Sequence, residues 1–561
     1  MSYSFEMNLN EPSTYGSVAV YEALCGFGKT SEYLKYELEK QLEERRLTLM
    51  AQPTLLLSSQ SYLNYTRLLV EAIPNANVAE YALLIDSSIH KNVQTELERI
   101  RKLHVEGKFT GVVFLTHSSL FNDAMATMLR ASHVVVDETP SSAINLLRLN
   151  VSAIHINQIR ELCDFEAVTY SDDNGHTETV ERVTLKDDIQ TRFDVDAIIE
   201  NHESQFDEYA SEKYIKLLKF LRSNYSVTYC ANSLNHTFQA INTKGIHHIL
   251  HNSKSLVILG ANVKQSLFGV LAEHQFKASF DYFTSLNGVA LDGKHEHPVK
   301  ITSYLHKGIM TKKLKGSPVC VGLADREETH TVRDDMVTKI LDQFGSDPFL
   351  LCMNSYDMDE LSEPIRKRLQ TGIDSGQIQV CSTQVHGRNE FKELTKVAVI
   401  ATANLNKHEI ALLRAASVDL GIEAKHLLDA ALIERSLEAI YQVILRIYLR
   451  NKYDPSNPTI CEVFVTDPRM SQYLASRCSG EVINSGECGY VKALDAKRDA
   501  DKEKRFETVC NILHDKNAQK GKPRAEKMTI VQILEKYGIS KRTFANYKAE
   551  FAFELARAGL K

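Results

Sequence analysis

Between residues 17 and 138 the chain alternates short β-rich apolar runs with helix-patterned segments, and this alternation limits the possible folds more than any other feature. The runs are SVAVYEAL, TLLLSS, YALLID, GVVFLTH and HVVVDE, and segments such as SEYLKYELEKQLEERR separate them. Strands that are apolar throughout are buried on both faces, and helical crossovers between them make the pairing parallel. A parallel sheet covered by helices is therefore expected. The same grammar returns over 348–404 with PFLLCMN, IQVCST and KVAVIATA, which predicts a second α/β domain.

The expected organisation is a first domain over 1–290, a second over 291–490, a charged linker over 491–527 and a compact helical module over 528–561. The first domain carries an insertion at about 150–250 that reads as mostly helical and polar, with a hairpin around SDDNGHTE. A chain of 561 residues has room for this many units.

Composition excludes several classes. No apolar run reaches the roughly 18 residues that span a bilayer. The start, MSYSFEMNLNEPSTYG, has neither the basic flank nor the apolar core of a signal peptide, so a cytoplasmic location is expected. Ten cysteines are scattered without a Cys-x-x-Cys pair, which argues against a zinc site or a disulfide framework. The net charge of −6 is unevenly spread. From Lys492 to Lys561 there are 17 basic against 10 acidic side chains, so a positive tail follows an acidic body. That pattern points to an appended module with a polyanionic partner, although a solvated charged helix would give the same balance.

Two motifs carry the chemistry. In ALCGFGKTSEYL, residues 23–34, Gly26, Phe27, Gly28, Lys29 and Thr30 stand between an apolar strand and a helix. Glycines there let backbone N–H groups face phosphates, and the helix N-terminus adds partial positive charge. Lys29 would reach the terminal phosphates and the Thr30 hydroxyl would ligate Mg²⁺. Ala23 stands where the common phosphate-loop pattern has its first glycine. The second motif is HVVVDETP, residues 133–140. At the carboxyl end of a parallel strand, Asp137 would hold the Mg²⁺ shell and Glu138 would activate the attacking water.

With both motifs in this order, the chain resembles the superfamily 2 helicases, whose first domain carries a G-x-G-K-T loop and then a D-E-x-x box. The resemblance extends, more loosely, to divergent phage and plasmid replication helicases. It implies two tandem RecA-like parallel-sheet domains that bind ATP and Mg²⁺ between them. TLLLSSQSYLNYT (54–66) is similar to the family's first strand-to-loop segment on the nucleic-acid backbone, which makes Ser59 a contact. FLTHSSL (114–120) resembles a second such segment, with Thr116 and His117. LVILGANV (256–263) stands where the family has its coupling motif, with Gly260, Ala261 and Asn262 in place of the usual residues. IQVCSTQVHGRNEF (378–391) resembles the fifth motif, placing Ser382 and Thr383 on the backbone and Gly387 to Asn389 near the nucleotide.

In SLEAIYQVILRIYLRN, Gln442, Arg446 and Arg450 are spaced to lie along one side of a helix. The resemblance makes these the sixth motif, whose arginines reach the γ-phosphate across the cleft. Guanidinium is always charged and forked, which suits that task. The family pattern has a glycine where this chain has Leu445, and one residue fewer before the last arginine, so Arg446 is the better placed finger.

MTIVQILEKYGISKRTFANYKAEF, residues 528–551, reads as helix, turn, helix. Gly538 closes the first and Ser540 caps the second, while Lys541, Arg542 and Asn546 mark the second as polar. This resembles a helix-turn-helix module, and favours DNA over RNA. A small helical pair for protein contacts is the other reading. The expected function is thus an ATP-dependent DNA helicase of replication, whose other partners would be replication proteins. A duplex-DNA motor for packaging or remodelling, and an ATP-switched DNA-binding regulator, are the alternatives.

Overall fold

The computed structural model describes residues 17–24, 28–86, 92–121, 125–171, 177–204, 209–222, 227–232, 235–290, 293–305, 308–317, 331–383, 390–456, 458–478, 482–484, 489–523 and 526–551, with Leu555 and Leu560. Its first sheet has seven strands, in the spatial order Phe280–Phe283, Val18–Tyr21, Ser255–Leu259, His133–Asp137, Thr48–Gln52, Val112–Thr116, Ala82–Leu84. Every pairing is parallel. The reason is visible in the strands: Val134, Leu49 and Val113 are buried on one face and Val135, Met50 and Phe114 on the other, which only a sheet covered on both faces allows.

Four of the five expected first-domain strands form. The exception is TLLLSS. The strand there is the preceding Thr48–Gln52, and Leu55 already opens a helix that runs to Ala72. Pro53 ends the strand, and the Thr54 side chain accepts from Leu57 N at 3.3 Å, capping the helix. Three leucines in a row read equally well in either state, and the cap decided between them.

The insertion holds three helices, Ala153–Leu162, Ile189–Ser204 and Tyr209–Arg222. It also holds a five-stranded antiparallel sheet that its polar composition did not announce. The expected hairpin is one part of that sheet, Cys163–Ser171 paired with Thr177–Leu185. The insertion leaves and rejoins the first domain through the paired strands Asn145–Val151 and Asn235–Asn242.

The second domain is a six-stranded sheet, again wholly parallel, in the order Ile378–Cys381, Phe349–Cys352, Lys396–Val399, Cys461–Val465, Val299–Ser303, Val482–Asn484. Two tandem α/β domains built on parallel sheets are therefore present, as expected. Between its strands the second domain sends out the helices Lys407–Leu420 and Ala424–Leu432. Their Leu412, Leu413, Ala416, Leu427 and Ala431 are buried in the same apolar cluster as the core of the first domain. Part of the second domain is thus anchored on the first, and Lys407–Leu420 also packs on the insertion's sheet.

The charged segment expected as a linker is instead a 30-residue helix, Gly489–Ala518. Its Val509, Ile512 and Leu513 are buried against the tail helices Ile530–Lys536 and Lys541–Glu550. The spacing of these residues puts them on one helical face, a stripe thin enough to be masked by the surrounding charges. Gly538 takes a left-handed φ of 64°, and Ser540 Oγ accepts from Thr543 N at 3.0 Å, so the turn and cap form as read. No helix among the described residues is long and apolar enough to cross a membrane. Among them, Cys163, Cys352, Cys381, Cys461, Cys478 and Cys510 are free thiols.

Candidate active site

The carboxyl ends of four central strands converge on one cleft. Val18–Tyr21 leads into the glycine loop, and Gly28, at φ 77°, opens the helix Lys29–Glu44. A left-handed residue there suits glycine because it carries no Cβ. Lys29 is buried and its Nζ donates to Ala23 O at 3.1 Å. Gly26 and Phe27 lie outside the described residues, as do Gly387 and Asn389.

The acidic pair sits one strand over from Ser255–Leu259. Thr30 Oγ1 lies 3.0 Å from Asp137 Oδ1 and 2.9 Å from Oδ2, and Gln52 Nε2 donates to Oδ2 at 3.0 Å. Burial raises the Asp137 carboxyl above its ordinary value, and the charge of Glu138 adds to this. Lys29, Gln52 and Thr30 oppose the rise. A desolvated carboxylate beside a hydroxyl is a hard oxygen pair, the donor type that Mg²⁺ prefers, and a cation there would favour the ionised form. Among the described residues no three His, Cys, Asp or Glu side chains cluster as a metal cage. A Mg²⁺ shared with phosphate needs only one or two protein oxygens.

Glu138 has a left-handed backbone, φ 65°, and its N–H donates to Leu259 O at 2.8 Å. For a residue with a side chain this conformation costs about 1–3 kcal/mol and tends to occur where function holds it. The effect is to turn the chain out of the strand so that Glu138 lines the cleft.

The opposite wall comes from the second domain. Gln442, Leu445, Arg446 and Arg450 line the same cavity of about 250 Å³ as Gly28, Lys29, Thr30, Asp137 and Glu138. The expected single helical stripe is not how they get there. The helix Glu438–Ile444 stops two residues before Arg446, and Tyr448–Arg450 is a short 3₁₀ turn. Ile447 and Leu449 are fully buried in the second domain's core, and burying both bends the chain away from a continuous helix. The three polar side chains converge nonetheless. Arg446 is only 8% exposed, whereas Arg450 is exposed at the mouth.

The residues expected on nucleic acid are placed variously. Ser59 Oγ donates within its own helix to Leu55 O at 3.0 Å. Thr116 Oγ1 shares hydrogen bonds with Ser118 and Ser119 at the start of a short helix. His117 is buried and its Nε2 donates to Asp137 O at 2.9 Å, so it braces the acidic pair from behind. Ser382 is exposed just past Ile378–Cys381, while Thr383 lines a second cavity of about 240 Å³ together with Lys29, Glu138 and Gln442. Lys541, Arg542 and Asn546 are exposed on one side of the last helix.

Several site residues escaped the sequence reading. Gln52 is fully buried and bonds Ser61 Oγ at 2.7 Å as well as Asp137. A polar residue ending the buried strand TLMAQ was the available signal, since such a group needs partners. Asn262, discussed below, was read only as a departure from a motif.

No family model matches the sequence, and no curated protein matches it. Among solved structures, an XPD helicase is similar at a TM-score of 0.43 and 13% identity, covering 83% of this chain and 96% of that one. The DUF1998 helicase MrfA bound to DNA aligns at 0.34 and 9% identity over 93% of this chain and 53% of that one. Dbp5 of S. cerevisiae bound to RNA and ADP BeF3 aligns at 0.31 and 10% identity over 85% and 87%.

Proposed function

We propose that the chain is an ATP-dependent nucleic-acid translocase, and specifically a DNA helicase. One observation carries this reading: a phosphate loop and an acidic pair from one parallel-sheet domain face two arginines and a glutamine from a second domain across a single cavity. A nucleotide bound there touches both domains, so its hydrolysis changes what holds them together. Two domains that close on ATP and part after hydrolysis can ratchet along a strand by backbone contacts, which are tolerant of sequence.

In the chemistry, Lys29 and the loop hold the phosphates, while Thr30 and Asp137 are the residues that would hold Mg²⁺. The metal would supply charge neutralisation on the phosphate oxygens. Glu138 orients and deprotonates the attacking water, and Arg446 stabilises charge that develops on the transferred phosphoryl group. DNA rather than RNA is favoured by the tail, whose last helix exposes Lys541, Arg542 and Asn546. Replication is the setting proposed for this activity.

The test is strand displacement with 3′- and 5′-tailed DNA and RNA duplexes, run beside ATP hydrolysis with and without single strands. Displacement of tailed DNA with stimulated hydrolysis is expected. Stimulated hydrolysis without displacement would favour the duplex motor, and DNA binding without appreciable hydrolysis would favour the switched regulator.

A further inference from the structure

Beside the nucleotide cavity, Asn262 ties the two walls of the cleft together. Asn262 follows the strand Ser255–Leu259 in a left-handed turn, φ 56°. Its Nδ2 donates to Glu438 Oε2 at 2.9 Å and lies 2.8 Å from Tyr473 Oη. Its Oδ1 accepts from Arg477 Nη2 at 2.6 Å. Tyr473 Oη in turn donates to Glu438 Oε2 at 2.7 Å, and the Arg477 guanidinium stacks 3.5 Å from the Tyr473 ring centroid. All three partners belong to the second domain.

An amide offers a donor and an acceptor on one short side chain, and this arrangement uses both. Aspartate in its place would keep the arginine but set a carboxylate against Glu438. Glu438 begins the helix that carries Gln442 one turn later and leads on to Arg446.

On its own side, the turn bearing Asn262 touches both halves of the phosphate machinery. Gly260 O accepts from Ala23 N at 3.2 Å, at the foot of the phosphate loop. Ala261 O accepts from Thr139 Oγ1 at 3.2 Å, and Leu259 O accepts from Glu138 N. Glu22, just before the loop, faces the backbone of Asn262 and Val263. The packing is close: a Cβ on Gly260 would come within 2.4 Å of Val263 Cγ2 and 3.2 Å of Thr139 Oγ1. A shift of the loop or of Glu138 therefore displaces Asn262, and Asn262 is fixed to the arginine segment.

We infer that Asn262 is the positioning residue of this site, holding Gln442 and Arg446 at the nucleotide through a clamp on Glu438, Tyr473 and Arg477. The clamp rests on the ATP-hydrolysing reading for its consequence, and on the hydrogen bonds alone for its existence. Residues of this kind act on orientation, so loss is expected in turnover more than in binding.

A repulsion-and-rescue pair tests it. Asn262→Asp opposes Glu438, and adding Glu438→Gln supplies an amide donor to the new carboxylate, restoring the pair with its polarity reversed. The readouts are kcat and KM for strand-stimulated ATP hydrolysis, with thermal melting to verify folding. Asn262→Asp should lower kcat by about tenfold or more with KM nearly unchanged, and the double substitution should recover most of it. A single variant with normal kcat, or a folded double variant as slow as the single, overturns the clamp. If the wild-type chain hydrolyses no ATP, the ATPase reading fails instead. The clamp is then read by energy transfer between dyes on the two domains. Asn262→Asp should lengthen that distance and the second substitution should shorten it; an unchanged distance in the single variant overturns the clamp.

Discussion

Lys29, Glu138 and Arg446 share a cavity, the proposed function has them act at different moments of the reaction, and single substitutions should separate them. Lys29→Ala removes the buried cation that lines the cavity. Turnover should fall by roughly 10²–10³-fold or more, and a folded variant with normal turnover would remove the basis of the assignment. Glu138→Gln keeps Asp137 and Thr30, so ATP should bind and persist, with hydrolysis down by roughly 10²–10⁴-fold. Failure of that variant to bind ATP would show that the two acids have been given the wrong roles. Arg446→Ala should spare nucleotide affinity while turnover falls on the order of 10³-fold, because a finger acts on transition-state charge. Equal and small losses in both would mark Arg446 as a structural cation. That these residues would meet at one cavity was legible in the sequence, because the proposed phosphate chemistry leaves few choices of side chain. Gln52 and Asn262 were not, since their roles depend on partners that are distant along the chain.

At the scale of elements, the π-helical turn Ile433–Leu437 is where the helices anchored on the first domain pass into the arginine segment. Glu434 in that turn accepts from Phe268 N at 3.2 Å, at the start of the first-domain helix Leu267–Phe276. Burial pushes its carboxyl up to about 7, against the backbone N–H groups of Phe268 and Leu267 and the charge of Arg435. A folded value above the unfolded one means that the native state holds the proton more tightly. The stability this contributes is complete below the ordinary carboxyl value and is lost as pH rises through about 7. The wild-type melting temperature should therefore decline more steeply between pH 5 and 8 than that of Glu434→Gln. Matching slopes would show that Glu434 does not titrate in that window. Elements also set where the tail can be cut. Ending the chain at residue 520 would expose Val509, Ile512 and Leu513, which the tail helices cover, so such a chain should aggregate. Its solubility against that of a chain ending at residue 488 is the check.

For the whole molecule, the proposed function divides labour between cleft and tail. Removing residues 489–561 takes away the long helix together with both tail helices and leaves every cleft residue in place. Basal hydrolysis should survive. DNA affinity should weaken and its salt dependence become shallower, since fewer phosphates are neutralised. If the last helix reads bases, the loss should be greatest on one preferred duplex and slight on random DNA. Full affinity with an unchanged salt slope would assign the tail to a protein partner.

By itself the sequence determined the two parallel sheets, the helix Lys29–Glu44, the capped tail turn and the residue types at the cleft. Each follows from short-range physics: apolar runs, caps, and glycine before a lysine. The tertiary structure decided what short range leaves open. Three leucines became a helix because Thr54 caps it, and a polar insertion became a sheet because its strands find one another across about a hundred residues. A charged run became the core helix of the tail through a thin apolar stripe. The arginines meet the phosphate loop across more than 400 positions of sequence, and Asn262 meets Glu438, Tyr473 and Arg477 across some 200. No local pattern encodes those distances, because the partners become neighbours only when two separately folded sheets are packed against each other.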